Sequence, residues 1–124
     1  MKTAEMLRIA REVSENAYSP YSKVRVAAVL YGEDGVYTGV NVENASFGLT
    51  VCAERIAVFK AISEGKRKFA KMLIYSPNLL PYPCGACRQV LAEFFSEDFE
   101  IIVTNGIEEE KFTLGELLPF NFKL

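Results

Sequence analysis

The spacing of apolar and polar residues along the chain predicts an alternation of helices and strands. Apolar residues recur at helical intervals over residues 3–16, which predicts an amphipathic helix. Residues 23–31 alternate between apolar and polar positions, and residues 36–40 return after a Gly-containing turn, so we expect a β-hairpin. The remaining pattern predicts helices over 52–64 and 84–95, strands over 71–75, 100–104 and 110–113, and a short helix that begins at Thr113.

This order of elements predicts the fold class. Strands separated by helices need crossover connections, and crossovers place helices on both faces of a sheet. We therefore expect an α/β fold, a three-layer α/β/α sandwich with a mixed, mostly five-stranded sheet. No repeat and no Pro/Gly/Ser-rich linker divides the 124 residues, so we expect one domain over 1–124.

Composition narrows the possible chemistry. The chain has no histidine, which excludes a Ser-His-Asp triad and a His-based metal site. The formal net charge of −2 argues against a nucleic-acid partner, because such proteins present a basic surface. The first five residues lack the apolar stretch of a signal peptide, and no apolar run reaches the ~20 residues of a membrane span. We therefore expect a cytoplasmic protein that has no membrane partner.

All three cysteines fall where predicted helices begin. Cys52 precedes the second helix, and Cys84 and Cys87 form a C-x-x-C pair at the start of the third. The positive end of a helix favours the thiolate form, which is the form that binds zinc. Three protein ligands leave one tetrahedral position open, as in catalytic zinc sites. Two other interpretations stay open at this point, a buried apolar role for Cys52 and a redox role for the C-x-x-C pair.

Charged residues next to the cysteines strengthen the zinc interpretation. Glu54 lies two residues after Cys52, and together with the later P-C-x-x-C segment it fits the three-cysteine version of the zinc deaminase signature. Three thiolates and one Zn²⁺ carry a net negative charge, so a cation should lie nearby to preserve the acidity of the metal. Arg55 and Arg88 each follow a cysteine motif and can donate to sulfur or to the backbone. Taken singly, Glu54 could be a first-turn helix carboxylate, and the arginines could be surface residues.

The sequence resembles the cytidine deaminase family in its short, three-cysteine form, over nearly the whole chain. The resemblance is carried by both cysteine motifs, by two upstream segments and by a segment near the end: Cys52-Ala53-Glu54-Arg55, Pro83-Cys84-Gly85-Ala86-Cys87-Arg88-Gln89-Val90, residues 17–23, residues 41–46 and residues 116–119.

The resemblance implies a reaction and a cofactor. It implies hydrolysis of cytidine and deoxycytidine to uridine and deoxyuridine plus ammonia, a step of pyrimidine salvage. One Zn²⁺ per subunit, held by Cys52, Cys84 and Cys87, would activate water to hydroxide. Glu54 would pass protons from that water to ring N3 and to the departing amine. The implied partner is a small-molecule nucleoside.

The resemblance also implies the residues that bind the substrate. Asn41 and Glu43 match positions that hydrogen-bond the ribose, although they could also be a strand end and loop surface. The Ala53 backbone would face the pyrimidine edge. The carbonyl of Pro83 or of its neighbour would accept from the leaving amine.

Two aromatic residues and the assembly follow from the same resemblance. Phe122 matches a C-terminal aromatic residue that packs on the base and often comes from a neighbouring subunit, and Phe47 is a second candidate. Both could equally be core residues. Family members of this length imply a homotetramer with its sites at subunit contacts.

Three residues depart from the family pattern. Val24 stands where an aromatic residue is usual beside the base, Ala27 stands where Gly is usual, and Tyr82 precedes Pro83 where a small residue is usual. Around Val24 the chain resembles blasticidin S deaminase, which shares the zinc chemistry. A deaminase of blasticidin S or of another cytosine-nucleoside analogue is therefore the alternative function.

Overall fold

The computed structural model describes all 124 residues and contains the predicted alternation of helices and strands. The elements in chain order are α1 (Thr3–Ser14), β1 (Ala27–Gly32), β2 (Gly35–Val40), a 3₁₀ turn (Phe47–Leu49), α2 (Ala53–Ser63), β3 (Lys71–Tyr75), α3 (Gly85–Phe94), β4 (Glu100–Thr104), β5 (Glu109–Thr113) and α4 (Leu114–Leu117). None of these helices combines the length and the apolar character that crossing a bilayer requires.

The five strands form one mixed sheet in the order β2-β1-β3-β4-β5. Strand β1 pairs antiparallel with both β2 and β3, and β5 pairs antiparallel with β4. Strands β3 and β4 are parallel because α3 crosses over between them. The predicted mixed, five-stranded sheet is confirmed.

Helices cover both faces of this sheet, which confirms the predicted three-layer architecture. Alternate residues of β1 enter different cores, as the twofold repeat of a strand requires. Ala27 and Val29 pack with Met6 and Ala10 of α1 on one face. On the opposite face Leu30 belongs to the larger core, to which α2 and α3 contribute.

The first strand begins later than the pattern predicts, at Ala27 rather than at residue 23. Lys23 has a φ of 63°, which is a left-handed conformation incompatible with a strand. The Asn41 side chain then holds the segment that follows. Its Oδ1 accepts from the Val26 amide at 2.9 Å, and its Nδ2 donates to the Val24 carbonyl at 2.8 Å. The Asn41 backbone amide also donates to the Val26 carbonyl at 3.2 Å, so one residue holds this segment where the alternation predicted a strand.

Gly39 of β2 allows the start of α2 to approach the sheet closely. A Cβ at this position would lie 2.3 Å from the Ala53 carbonyl oxygen and 2.6 Å from the Ala57 amide nitrogen. Both neighbours are helix backbone, which cannot rotate away as a side chain can. Glycine at position 39 thus sets how near the segment from Cys52 to Glu54 lies to the sheet.

The last helix begins as its sequence predicts. The Thr113 side chain accepts from the Glu116 amide, and the Glu116 carboxylate accepts from the Thr113 amide at 2.8 Å. This capping box satisfies two backbone donors that a helix N-terminus otherwise leaves unpaired.

Candidate metal centre and active site

The three cysteine sulfurs converge at the adjoining N-termini of two helices. Cys52 is the N-cap residue of α2, Cys84 is the N-cap residue of α3, and Cys87 lies in the first turn of α3. The Sγ atoms of Cys52 and Cys84 are 3.7 Å apart, and those of Cys84 and Cys87 are 3.5 Å apart. All three sulfurs lie within 4.8 Å of one another.

These distances fit a zinc ion. Zn–S bonds of about 2.3 Å in tetrahedral geometry place pairs of sulfur ligands about 3.8 Å apart. The chain contains three cysteines and no histidine, so neither residue type can supply a fourth ligand. A three-thiolate set with one open position matches a catalytic site better than a closed structural site.

Arg55 is the cation that contacts the sulfur ligands. Its Nη2 lies 3.5 Å from the Cys52 Sγ and 3.5 Å from the Thr50 carbonyl oxygen, while its Nε is buried without a hydrogen-bond partner. The pKa of Cys52 is lowered to about 5, chiefly by hydrogen bonding with Cys87 and, against the opposing effect of burial, by Arg55. The same hydrogen bond, together with burial, raises the pKa of Cys87. The site therefore favours thiolate at Cys52.

Arg88 has a different set of contacts. Its Nε donates to the Pro83 carbonyl at 2.7 Å, and its Nη1 donates to the Leu117 carbonyl at 2.8 Å. Of the two options that the sequence left open, sulfur or backbone, Arg88 uses the backbone. It joins the segment before the C-x-x-C motif to α4, and the contact to sulfur falls to Arg55 alone.

Glu54 is a buried carboxyl in the first turn of α2, with a relative exposure of 4%. Burial raises its pKa to about 7, and the neighbouring Cys52 thiolate acts in the same direction. Glu54 lines a cavity of about 370 Å³ whose wall also contains Cys52 and Cys84. The fold thus places a carboxyl group and two of the three sulfurs on one cavity.

This cavity contains residues that the sequence singled out and others that it did not. Val24, Asn41 and Ala53 line it as predicted positions. The wall also includes residues that sequence reasoning did not assign to the site: Ser22, Val26, Thr50, Leu79, Leu80 and Pro81. Tyr82, which the sequence singled out as unusual before Pro83, lines the wall as well. The position of residues 79–81 shortly before the C-x-x-C motif was the available signal for three of the unassigned residues.

Glu43 lies beside a second, adjoining cavity of about 400 Å³ that shares Ser22 and Thr50 with the first. Its Oε1 accepts from the amides of Tyr21 at 2.9 Å and Ser22 at 3.1 Å, and its Oε2 accepts from the Ser22 hydroxyl. The Ser22 hydroxyl bond contributes most to lowering the pKa of this carboxyl. Glu43 is therefore an ionised acceptor at the junction of the two cavities.

The remaining predicted residues lie outside the first cavity, the one that Glu54 lines. Phe47 lines the second cavity, is 72% exposed and contacts Tyr21 edge to face with ring centroids 5.6 Å apart. Phe122 is 67% exposed, and its carbonyl accepts from the Gln89 side-chain Nε2 at 3.5 Å. Pro83 is buried, and its carbonyl is already bonded to Arg88. Pro81 and Tyr82, which precede it, line the cavity instead.

Comparison with known proteins decides the family. Residues 1–103 match the model of the cytidine and deoxycytidylate deaminase zinc-binding region. The chain belongs to the cytidine and deoxycytidylate deaminase family. It is thus a zinc-dependent hydrolytic deaminase, and its three clustered cysteines form a group suited to binding the metal ion.

Individual relatives agree with this assignment. The chain is 42% identical to a cytidine deaminase of Sporosarcina psychrophila, over 98% of this chain and 92% of the relative. It is 44% identical to one of Halalkalibacterium halodurans, over 94% and 91%. The solved structure of a cytidine deaminase from Burkholderia pseudomallei superimposes with a TM-score of 0.93 at 40% identity, over 98% of this chain and all of that one.

The alternative family member is a more distant relative. A blasticidin-S deaminase of Bacillus cereus is 29% identical over 95% of this chain. Identity to the cytidine deaminases is higher over similar lengths, so the comparison favours the cytidine deaminases.

Proposed function

We propose that this deaminase converts cytidine and deoxycytidine to uridine and deoxyuridine with release of ammonia. One observation carries the proposal. The buried carboxyl of Glu54 and two sulfurs of the three-cysteine group line one cavity of about 370 Å³, which is within the size range of a small-molecule site. The relatives that match most of this chain are named cytidine deaminases. Production of uridine from cytidine would place the enzyme in pyrimidine salvage.

Glu54 moves the protons in this scheme. When zinc is bound, it supplies the Lewis acidity that makes water a nucleophile near neutral pH. Glu54 accepts the first proton of the attacking water and delivers it to ring N3 while the C4–O bond forms. It then transfers the second proton of that water to the amine while the C4–N bond breaks, so that ammonia leaves and C4 becomes a carbonyl. Burial of Glu54 keeps bulk water from competing for these protons.

Asn41 and Glu43 bind the sugar in this proposal. Asn41 lines the first cavity and Glu43 lines the adjoining one, so a nucleoside that spans both would place its hydroxyls near an amide and a carboxylate. Such polar groups discriminate strongly against an analogue that lacks the hydroxyl, because they are then left without a partner. Both side chains already hold backbone segments, and their positions are therefore defined before substrate binds.

The base contacts the apolar part of the first cavity. Val24 forms part of this wall, and the Ala53 backbone faces the pyrimidine edge. We assign acceptance of the leaving amine to the carbonyl of Pro83, which directly precedes the C-x-x-C motif and can accept a second hydrogen bond beside the one from Arg88. Phe47 would contact the part of the substrate in the second cavity.

We also propose a homotetramer in which Phe122 of each chain completes a neighbouring site. The terminal segment supports this, because the large apolar side chains of Phe120, Phe122 and Leu124 are all exposed in the single chain. In this assembly the 124 residues act as one deaminase domain. A cytoplasmic location is consistent with the zinc site, since its cysteines must stay reduced to bind the metal.

The test is an ammonia-release assay on the purified, zinc-loaded protein. Cytidine, deoxycytidine, cytosine and blasticidin S are the substrates. Turnover of both nucleosides without turnover of cytosine is the expected result, because Asn41 and Glu43 bind the sugar. Turnover of blasticidin S alone would favour the alternative function, a blasticidin S deaminase. Absence of turnover with every nucleoside would refute the proposed cytidine deaminase activity.

Two variants test the role of Glu54. Glu54→Gln keeps the size of the side chain but cannot transfer protons, so we expect loss of turnover by at least about 10²-fold with zinc content unchanged. Glu93→Gln alters an exposed carboxyl on α3 and serves as the matched control. Retention of most activity in Glu54→Gln would contradict the proposed proton transfer.

A further inference from the structure

The rim of the first cavity, the one that Glu54 lines, is an irregular segment between β3 and α3. Strand β3 ends at Tyr75 and α3 begins at Gly85, and residues 79–82 in between line the cavity. Within this segment the Tyr82 amide donates to the Leu80 carbonyl at 3.1 Å. This bond closes a local turn and is not part of the hydrogen bonding of the sheet. The conformation of the rim therefore depends on side chains that join it to regular elements.

Tyr82 makes such a connection to the edge strand β5. Its hydroxyl donates to the Glu110 Oε1 at 2.5 Å. Its ring meets the Phe112 ring edge to face, with centroids 6.2 Å apart. Glu110 and Phe112 are two residues apart on one strand, so they project from the same face of the sheet. Tyr82 thus makes two side-chain contacts with β5, and it is also one of the residues that line the cavity.

The sheet supports this connection. Strand β5 is paired with β4, with Glu110 opposite Val103 and Phe112 opposite Ile101. Val103 and Ile101 are fully buried in the larger core. Glu110 and Phe112 therefore belong to the rigid part of the fold, whereas residues 79–82 lie in an irregular loop.

We propose that Tyr82 positions the rim of the substrate cavity through its bond to Glu110. The inference rests on the proposed function, since it assigns nucleoside binding to this cavity. Held by β5, the Tyr82 ring and residues 79–81 keep the conformation that receives the substrate, and binding does not have to order them. Preorganisation of this kind raises affinity without changing the chemical step.

Paired variants test the connection from both ends. Tyr82→Phe keeps the ring and removes the hydroxyl, and Glu110→Ala removes the acceptor. For each we expect KM for cytidine to rise roughly three- to tenfold, the cost of ordering one to two side chains, with kcat within about twofold of wild type. The double variant should be no worse than either single one, because both remove the same interaction.

Two controls separate the bond from general effects. Glu110→Gln keeps an acceptor oxygen within reach of the hydroxyl, so we expect it to retain a KM near that of wild type. Glu109→Ala removes the neighbouring exposed carboxylate, which projects from the opposite face of β5 and therefore cannot reach Tyr82. Zinc content and Tm should be the same in all of these proteins.

Hydrogen exchange of the zinc-loaded protein gives a readout that needs no substrate. We expect faster exchange of the amides between residues 78 and 82 in Tyr82→Phe and Glu110→Ala, and wild-type rates in Glu110→Gln and Glu109→Ala. This result would stand even if no nucleoside were a substrate, so failure of the proposed function and failure of this inference are distinguishable. Unchanged exchange and KM in the first two variants would overturn it. A fall in kcat at constant KM would overturn it as well.

Discussion

The close approach of α2 to the sheet at Gly39 predicts that a single methyl group there will displace the zinc site. In Gly39→Ala the new Cβ would lie 2.3 Å from the Ala53 carbonyl oxygen. A non-bonded carbon and oxygen need roughly 3.2 Å or more, so the helix start must move by about 1 Å. Ala53 lies between Cys52, a zinc ligand, and Glu54, the proposed proton carrier, and both would move with it.

Two magnitudes follow from this displacement. Overpacking a well-packed contact costs about 1–3 kcal/mol, and for a chain of this size that corresponds to a fall in Tm on the order of 5–10 °C. A misplacement of about 1 Å at a catalytic group costs on the order of 10²-fold in rate. We therefore expect a modest loss of stability and a much larger loss of kcat, together with weaker zinc binding.

Two other glycines provide matched controls. A Cβ on Gly32 would lie 2.3 Å from the Phe69 Cα, so Gly32→Ala is an equally severe clash at the far end of the same hairpin. A Cβ on Gly48 meets nothing within 4 Å, so Gly48→Ala should be neutral. The measurements are Tm, kcat with cytidine, and zinc affinity by competition with a chelator. Equal stability losses in Gly39→Ala and Gly32→Ala, with wild-type kcat and zinc affinity in both, would refute the reasoning.

Three further predictions concern charged residues. Arg55→Met removes the cation beside Cys52 and should weaken zinc binding by roughly 10- to 100-fold, as measured by chelator competition, whereas Arg55→Lys should lose less. Arg88→Met leaves two backbone carbonyls without their donor and should lower the free energy of unfolding by about 1–3 kcal/mol in urea titrations, with a smaller effect on zinc affinity than Arg55→Met. Hydrogen bonds from backbone amides, chiefly that of Arg67, hold the pKa of Asp34 below its usual value. Asp34 therefore stabilises the fold above its unfolded pKa of about 4, and this contribution is lost as the pH falls through the lower folded pKa, so Asp34→Asn should flatten the acid limb of the stability profile.

Comparison of the predicted and observed elements shows which features are local. The strands over 71–75 and 100–104 match their predicted bounds, and the capping box at Thr113 forms as its spacing indicates. Helix ends differ by one or two residues, which is within the ordinary fraying of helix termini. The first strand is the exception. Asn41 follows the next strand in the chain, and its side chain hydrogen-bonds Val24 and Val26, which the alternation had placed in the first strand. Alternation within a segment carries no information about such a partner.

The sequence by itself determined the element order, the α/β class, the zinc cofactor and the family. These features depend on periodicity and on short motifs, in which every residue lies within a few positions of the next. The exclusion of histidine chemistry also followed from composition alone.

Only the tertiary structure decided which distant groups meet. Cys52 and Cys84 are 32 residues apart in sequence, and the packing of α2 and α3 against one sheet brings their sulfurs to 3.7 Å. The same packing directs Arg55 to sulfur and Arg88 to backbone, and strand register places Glu110 where Tyr82 can reach it. Each of these contacts joins two segments whose separation is set by the whole core. They therefore depend on crossover geometry and on side-chain direction, which no local pattern encodes.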